Sequence, residues 1–269
     1  MYLGSRSLPG EPSDKYSKAA KQIIDTGLNC LGTTTTPEFG LTGTTESLRF
    51  GATCNPWNTA YSTGGSSGGS SALVASGVIP IAHANDGAGS IRIPASCCGL
   101  VGLKASRGRI KDKEVPSYLP ANILHDGVVT RSVRDTWAFH AEIEKNIPAT
   151  EFPPIGDISE SFPKNLKIDV LTENCLGEDS SAELLQATHD VARLCESLGH
   201  EVEMISNPFY KKFDEDFWLL WAHFGFLIRY SVGKELSSKF DHTQLEQWPK
   251  YLISRHWRNI HKVPVAFGA

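Results

Sequence analysis

No stretch of this chain runs to 18 consecutive apolar residues, and no basic segment followed by an apolar one opens it. Neither a membrane span nor a secretory leader is therefore read from it, and the expected location is cytoplasmic with no membrane partner. Charge of one sign is not in excess either. Lys and Arg number 26 against 30 Asp and Glu, for a net charge of −4, which leaves no electrostatic footprint for nucleic acid. The six cysteines form no C-x-x-C pair, and none of the nine histidines sits in an H-E-x-x-H context. That excludes the usual zinc patterns, so no metal and no cofactor is expected. Cys97 and Cys98 are adjacent, a separation that closes into a disulfide only with strain, and buried free thiols are the expectation for all six.

What the chain does have is glycine, and in particular two glycine-rich turns that carry serines. Gly64-Gly65-Ser66-Ser67-Gly68-Gly69 is followed by Asp86-Gly87-Ala88-Gly89-Ser90-Ile91-Arg92-Ile93-Pro94-Ala95, with Ser66 and Ser90 24 positions apart. Glycine lets the backbone take positive φ and approach a ligand closely. A serine in such a turn, with open N–H groups around it, can attack a carbonyl and hold the resulting oxyanion. Three rival readings fit less well. The elbow of α/β-hydrolases, matched by Gly64-x-Ser66-x-Gly68, needs a buried strand before it, which Asn58 to Thr63 does not supply. A P-loop needs a closing Gly-Lys-[Ser/Thr], whereas this loop closes on Gly69-Ser70-Ser71. A flexible Gly/Ser linker accounts for the first loop alone but not for its pairing with the second.

Periodicity predicts helices over Lys15–Gly27, Ser67–Ser76 and Ala182–Leu198, the last with Leu184, Leu185, Val191, Leu194 and Leu198 on one face. A further helix opens at Ser132, with Asp135 three residues on as a capping box, and runs to about Lys145. Strands are predicted over Val78–Ala82, Leu166–Val170 and Glu201–Ile205. Strand–helix–strand order of this kind argues an α/β fold with a mainly parallel or mixed sheet. Residues 144–163, with prolines at 148, 153, 154 and 163, read as a surface connection, so 1–269 is expected to form one domain. Residues 206–269 read as a helical, aromatic-rich part of it. Trp218, Trp221, Trp248 and Trp257 there suit either a channel wall or ordinary helix packing, the simpler reading.

The run from Gly64 to Arg109 resembles the signature of the amidase-signature family, serine hydrolases that use a Ser–cis-Ser–Lys triad. Blocks on either side fit the same family: Gly4-Ser5-Arg6, Thr34 to Gly40, Asn55-Pro56-Trp57-Asn58, Ser96 to Lys104 and Thr130 to Asp135. Within it the wording is most similar to 6-aminohexanoate-cyclic-dimer hydrolases. The resemblance implies a mixed twisted sheet covered by helices, incomplete here at the N- and C-termini, and a small-molecule amide substrate. A homo-oligomer is left open. It casts Ser90 as nucleophile, Ser66 as the bridging serine after a cis Gly65–Ser66 bond, and the N–H groups of Gly87, Ala88, Gly89 and Ser90 as the oxyanion hole. Gly65, Asp86 and Arg92 become structural neighbours of the site, with Asp86 and Arg92 paired across the turn, and Glu38 and Lys104 become scaffold.

The family's triad lysine precedes the Gly-Ser-Arg block, which here begins three residues after Met1. The expectation is therefore an amidase shortened at both ends, with weak or no activity by itself. Two alternatives stand beside it. One is a non-catalytic remnant or binding module. The other is the amidase subunit of a tRNA-dependent amidotransferase, against which Ala105-Ser106-Arg107-Gly108 replaces the Pro-Thr-Tyr-Gly usual after the scaffold lysine.

Overall fold

The computed structural model describes residues 2–12, 16–110, 123–146, 152–156, 164–174, 178, 180–208 and 212–262. The chain divides into two compact units, one comprising Met1–Ile158 with Gly225–Ser254 and the other Ser159–Phe224 with Arg255–Ala269. Cys175, the predicted helix start at Lys15, two of the four prolines of the 144–163 connection, Pro148 and Pro163, and the last seven residues lie outside the described residues.

The first unit is organised by strands β5 (Ile81–Asp86), β6 (Val101–Gly102) and β7 (His125–Thr130), which pair antiparallel in the order β5-β7-β6. Register runs from Ile81 opposite Thr130 to Asp86 opposite His125. Because side chains alternate along a strand, Ala82, Ala84 and Val129 share one face. They pack with Val74 of α2 (Gly68–Ala75) and with Ile91 and Ala95 at α3 (Arg92–Cys97). Ile81 and Val128 on the other face pack with Ile110, with Ile23 of α1 (Lys18–Asp25), and with Phe139 and Ile143 of α4 (Val133–Asn146). Helices thus cover both faces of a small sheet whose β5 ends at Asp86, the residue that opens the serine-bearing turn.

Several predicted boundaries hold and one moves. The Ser132 hydroxyl accepts from the Asp135 N–H at 3.1 Å and opens α4 as a cap. Gly27, at φ +85°, ends α1. The strand predicted over Val78–Ala82 instead begins at Ile81, and Val78 is exposed. The end of α2 explains the shift: Gly77 is at φ +78°, and the Val78 and Ile79 N–H groups both fold back onto the Leu73 carbonyl. Pro80 then has no N–H to pair, so the ladder starts one residue later.

Two hairpins precede this core, β1 (Glu46–Ser47) with β2 (Gly51–Ala52) and β3 (Cys54–Asn55) with β4 (Asn58–Ser62). Glu38, buried and accepting from the Ser5 hydroxyl and the Glu246 N–H, ties three distant segments of this unit together. The second unit holds a parallel pair, β8 (Lys167–Val170) and β9 (Glu201–Met204), joined through α5 (Ala182–Ser197). Pairing across the chain is therefore mixed, parallel here and antiparallel in the first unit. The apolar face predicted for α5 forms but stays open, with Leu184, Val191, Leu194 and Leu198 all more than half exposed.

The aromatic-rich part is helical, with α6 (Phe213–Leu227), α7 (Gly233–Leu236) and α8 (Gln247–Arg258). Phe217 stacks on Trp221 at 5.4 Å, Arg255 lies over Trp218 at 5.6 Å, and Trp248 stacks on Tyr251 at 5.5 Å. The described cysteines are all free, but only Cys98 is buried. Cys30, Cys54 and Cys97 are exposed and Cys195 is half-buried, which corrects the expectation of buried thiols. Burial, with Cys97 alongside, pushes the Cys98 thiol up to about 11.

Candidate active site

The first serine loop is packed too tightly for side chains. A Cβ on Gly65 would fall 2.6 Å from the Thr44 carbonyl, and one on Gly68 would fall 2.3 Å from the Thr45 hydroxyl. The Gly65–Ser66 peptide bond is cis. Thr45, fully buried, clamps this loop: its hydroxyl donates to the Gly64 carbonyl at 3.0 Å, lies 3.4 Å from the Ser66 carbonyl, and accepts from the Gly68 N–H at 3.1 Å. Gly40, at φ +70°, lies against the Ser66 side chain, and a Cβ there would come 3.3 Å from its Oγ.

The second serine sits at the end of a turn built on Asp86. Its buried carboxylate accepts from the Gly89 N–H (2.7 Å) and the Ile91 N–H (3.3 Å), and meets Arg92 Nε at 2.9 Å and the second guanidinium nitrogen at 3.0 Å. Burial alone would raise the Asp86 carboxyl. The Arg92 hydrogen bond and the Gly89 amide outweigh it and hold the group below the usual carboxylate range. The expected pairing across the turn is present.

That same carboxylate changes the expected set of oxyanion donors. The Gly89 N–H already points into Asp86, which removes Gly89 from the open donors; among the described residues the amides of Gly87, Ala88 and Ser90 have no hydrogen-bond partner. Gly89 is needed for its backbone instead: it is at φ +118°, and a Cβ would strike Ile93 Cδ1 at 2.7 Å. The helix after Ser90, α3, is only six residues long. Oxyanion stabilisation would accordingly rest on individual N–H groups more than on a macrodipole.

The two turns are stitched together through Ser67, which donates its N–H to the Ser90 carbonyl at 3.3 Å and whose hydroxyl accepts from the Asn85 N–H at 3.2 Å. Ser66 and Ser90 are thereby brought to adjoining loops. Among the described residues no hydrogen bond joins their hydroxyls and neither hydroxyl has a side-chain partner; both residues are buried, each 8% exposed. Lys104 makes no hydrogen bond or ion pair with either serine. Thr45 and Gly40 were not singled out as site residues from the sequence. Thr45 is one of several threonines near Gly43, and nothing local distinguishes it.

The chain as a whole has relatives among known proteins. The family model described as Amidase matches residues 1–261. The chain belongs to the amidase family. AmiC, an amidase-family protein of Mycobacterium bovis, is 44% identical over 251 residues, which is 93% of this chain and 53% of AmiC. The 6-aminohexanoate-cyclic-dimer hydrolase of Paenarthrobacter ureafaciens is 44% identical over 203 residues, 72% of this chain and 41% of the enzyme. A solved structure of 6-aminohexanoate cyclic dimer hydrolase with substrate superposes with a TM-score of 0.81 at 31% identity, over 95% of this chain and 56% of that one. The fold is thus that of the amidase-signature enzymes, and the chain spans about half the length of the curated relatives it matches. Among the described residues, no group of three or more His, Cys, Asp or Glu could hold a metal ion, and no helix is long and apolar enough to cross a membrane.

Proposed function

We propose that this amidase hydrolyses a carbon–nitrogen amide bond of a small-molecule substrate, with Ser90 as nucleophile and Ser66 as proton relay. The observation that carries the reading is the Asp86–Ser90 turn. Its carboxylate and Arg92 fix the backbone, while among the described residues the Gly87, Ala88 and Ser90 amides take no hydrogen-bond partner beside the Ser90 hydroxyl. In the acylation step Ser90 Oγ attacks the carbonyl carbon and its proton passes to Ser66 Oγ as Ser66 gives its own hydroxyl proton to a base. The carbonyl oxygen gains negative charge that the three amides can hold. Collapse breaks the C–N bond, the amine leaves with a proton returned through Ser66, and water then cleaves the acyl-Ser90 ester by the same route.

The relay needs a base beyond Ser66, supplied by a lysine in the enzymes the chain resembles, with a pKa lowered by burial. No described lysine hydrogen-bonds Ser66, so turnover by this chain alone is proposed to be slow. The cyclic dimer of 6-aminohexanoate, named in relatives of this chain, is the first substrate to try.

The test is release of a chromogenic amine from a simple anilide by the chain and its variants. Ser90→Ala should abolish whatever turnover the chain has, and Ser66→Ala should lower it steeply. Turnover that survives Ser90→Ala would overturn the assignment.

A further inference from the structure

Two half-exposed aliphatic side chains pack on the Gly87–Ser90 turn, each where a glycine leaves room for it. On one side Ile93, one turn after Ser90 and anchored by its N–H to the Gly89 carbonyl at 2.7 Å, is 38% exposed. Its side chain fills the space that a Cβ would take at two glycines on separate segments. Ile93 Cδ1 is 2.7 Å from the Cβ position of Gly89, and Ile93 Cγ2 is 3.1 Å from that of Gly64, on the loop that carries Ser66. The Cβ position of Gly43 is also within 3.8 Å of Ile93 Cδ1. On the other side Leu124, 40% exposed, puts Cδ2 2.9 Å from the Cβ position of Gly87, the first of the open donors. Both side chains therefore pack against the glycines of the turn that carries the Gly87, Ala88 and Ser90 amides.

We infer that Ile93 and Leu124 are specificity-determining residues, forming two aliphatic walls that select amides whose carbonyl is flanked by uncharged methylene or alkyl groups. The inference rests on the assignment of Ser90 as nucleophile and adds the substrate class. The physical reason is that a charged or strongly polar group placed against Ile93 or Leu124 would lose water without gaining a partner. Each methylene laid on them gains instead from burial, which gives a few-fold in affinity per group. The glycines at 64, 87 and 89 follow from the same arrangement, because a larger residue there would push against Ile93 or Leu124.

The experiment avoids any dependence on turnover. Alkylboronic acids add to a serine hydroxyl: an O–B bond forms, the hydroxyl proton leaves to water, and the trigonal boron becomes a tetrahedral anion that occupies the oxyanion position. Dissociation constants for methylboronic and hexylboronic acid would be measured by NMR titration on the wild type and on Ile93→Ala, Ile93→Val, Leu124→Ala and Ser90→Ala. Wild type should prefer the hexyl compound by about tenfold or more. Ile93→Ala and Leu124→Ala should each shrink that ratio severalfold, and Ile93→Val should restore most of it. A ratio unchanged in both alanine variants, with binding still lost in Ser90→Ala, would overturn this inference and leave the nucleophile assignment standing. Binding that persists in Ser90→Ala, or no binding by the wild type, would overturn the nucleophile assignment itself.

Discussion

Asp86 and Arg92 meet in a two-pronged pair across the Ser90 turn, Nε to Oδ2 at 2.9 Å and the second guanidinium nitrogen to Oδ1 at 3.0 Å. The carboxylate also takes the Gly89 and Ile91 amides. One buried group thus fixes the backbone on either side of Ser90.

The first prediction follows from that pair. The Asp86 carboxyl is held below its ordinary value of 3.8. Its stabilisation is therefore complete above that value and is lost as pH falls below it through the lower folded value. Arg92 is more than half exposed, so solvent screens part of the pairing. Asp86→Asn should lower the urea midpoint at pH 7 and flatten the acid limb below about pH 4. Equal acid limbs in the variant and wild type would contradict this.

Thr45 gives a second test. Its hydroxyl serves the Gly64 carbonyl and the Gly68 N–H in a fully buried place, so Thr45→Val leaves the buried Gly68 N–H without this partner, while the Gly64 carbonyl keeps the Thr63 hydroxyl at 3.1 Å. The expected cost is about 1–3 kcal/mol in unfolding free energy, with reactivity at Ser90 falling as the Ser66 loop loosens. Thr45→Ser keeps the hydroxyl and should lose much less. Chemical unfolding curves and acylation rates of the two variants decide it, and equal losses in both would contradict the clamp.

His140 supplies a third. Burial first, then His125 and Arg109, lower its imidazole to about 4, and the ring is edge-on to Phe139 at 5.3 Å. The folded chain binds this proton more weakly than the unfolded one. Stability should therefore be full above pH 6.5 and decline toward about pH 4, by on the order of 3 kcal/mol from this group. His140→Phe should weaken that decline when urea midpoints at pH 7 and pH 5 are compared. An identical decline in both proteins would contradict it.

The fourth prediction concerns α5, whose Leu184, Val191 and Leu198 lie on one exposed stripe. An exposed apolar face of this kind should bind a hydrophobic dye and promote association. Replacing the three residues by serine should reduce dye fluorescence and sedimentation as oligomers while far-UV helix content is kept. Unchanged dye binding would place the exposed surface elsewhere.

Much of this was legible in the sequence, for reasons that differ residue by residue. Ser66, Ser90 and the Asp86–Arg92 pair lie in short, glycine-defined turns where local chemistry dictates geometry. The Ser132 cap and the α5 stripe follow from spacing along a single helix. Thr45 and Gly40 could not be read in this way, because their roles arise from chain segments that come together only on folding. The closure of the Gly89 amide by Asp86 depends on the direction of one N–H, which the motif does not encode. The start of β5 moved because the end of α2 captured the Val78 and Ile79 amides, a competition between neighbours that strand propensity does not weigh.

The central claim, that Ser90 forms an acyl-enzyme beside open amides, is tested most directly by trapping that intermediate. The chain would be incubated with an activated alkyl ester, quenched in acid, digested, and the acylated peptide located by mass spectrometry. The account predicts one acyl group on the peptide containing Ser90, absent in Ser90→Ala. An acyl group found at another residue, or none at Ser90 in a folded chain, would contradict it.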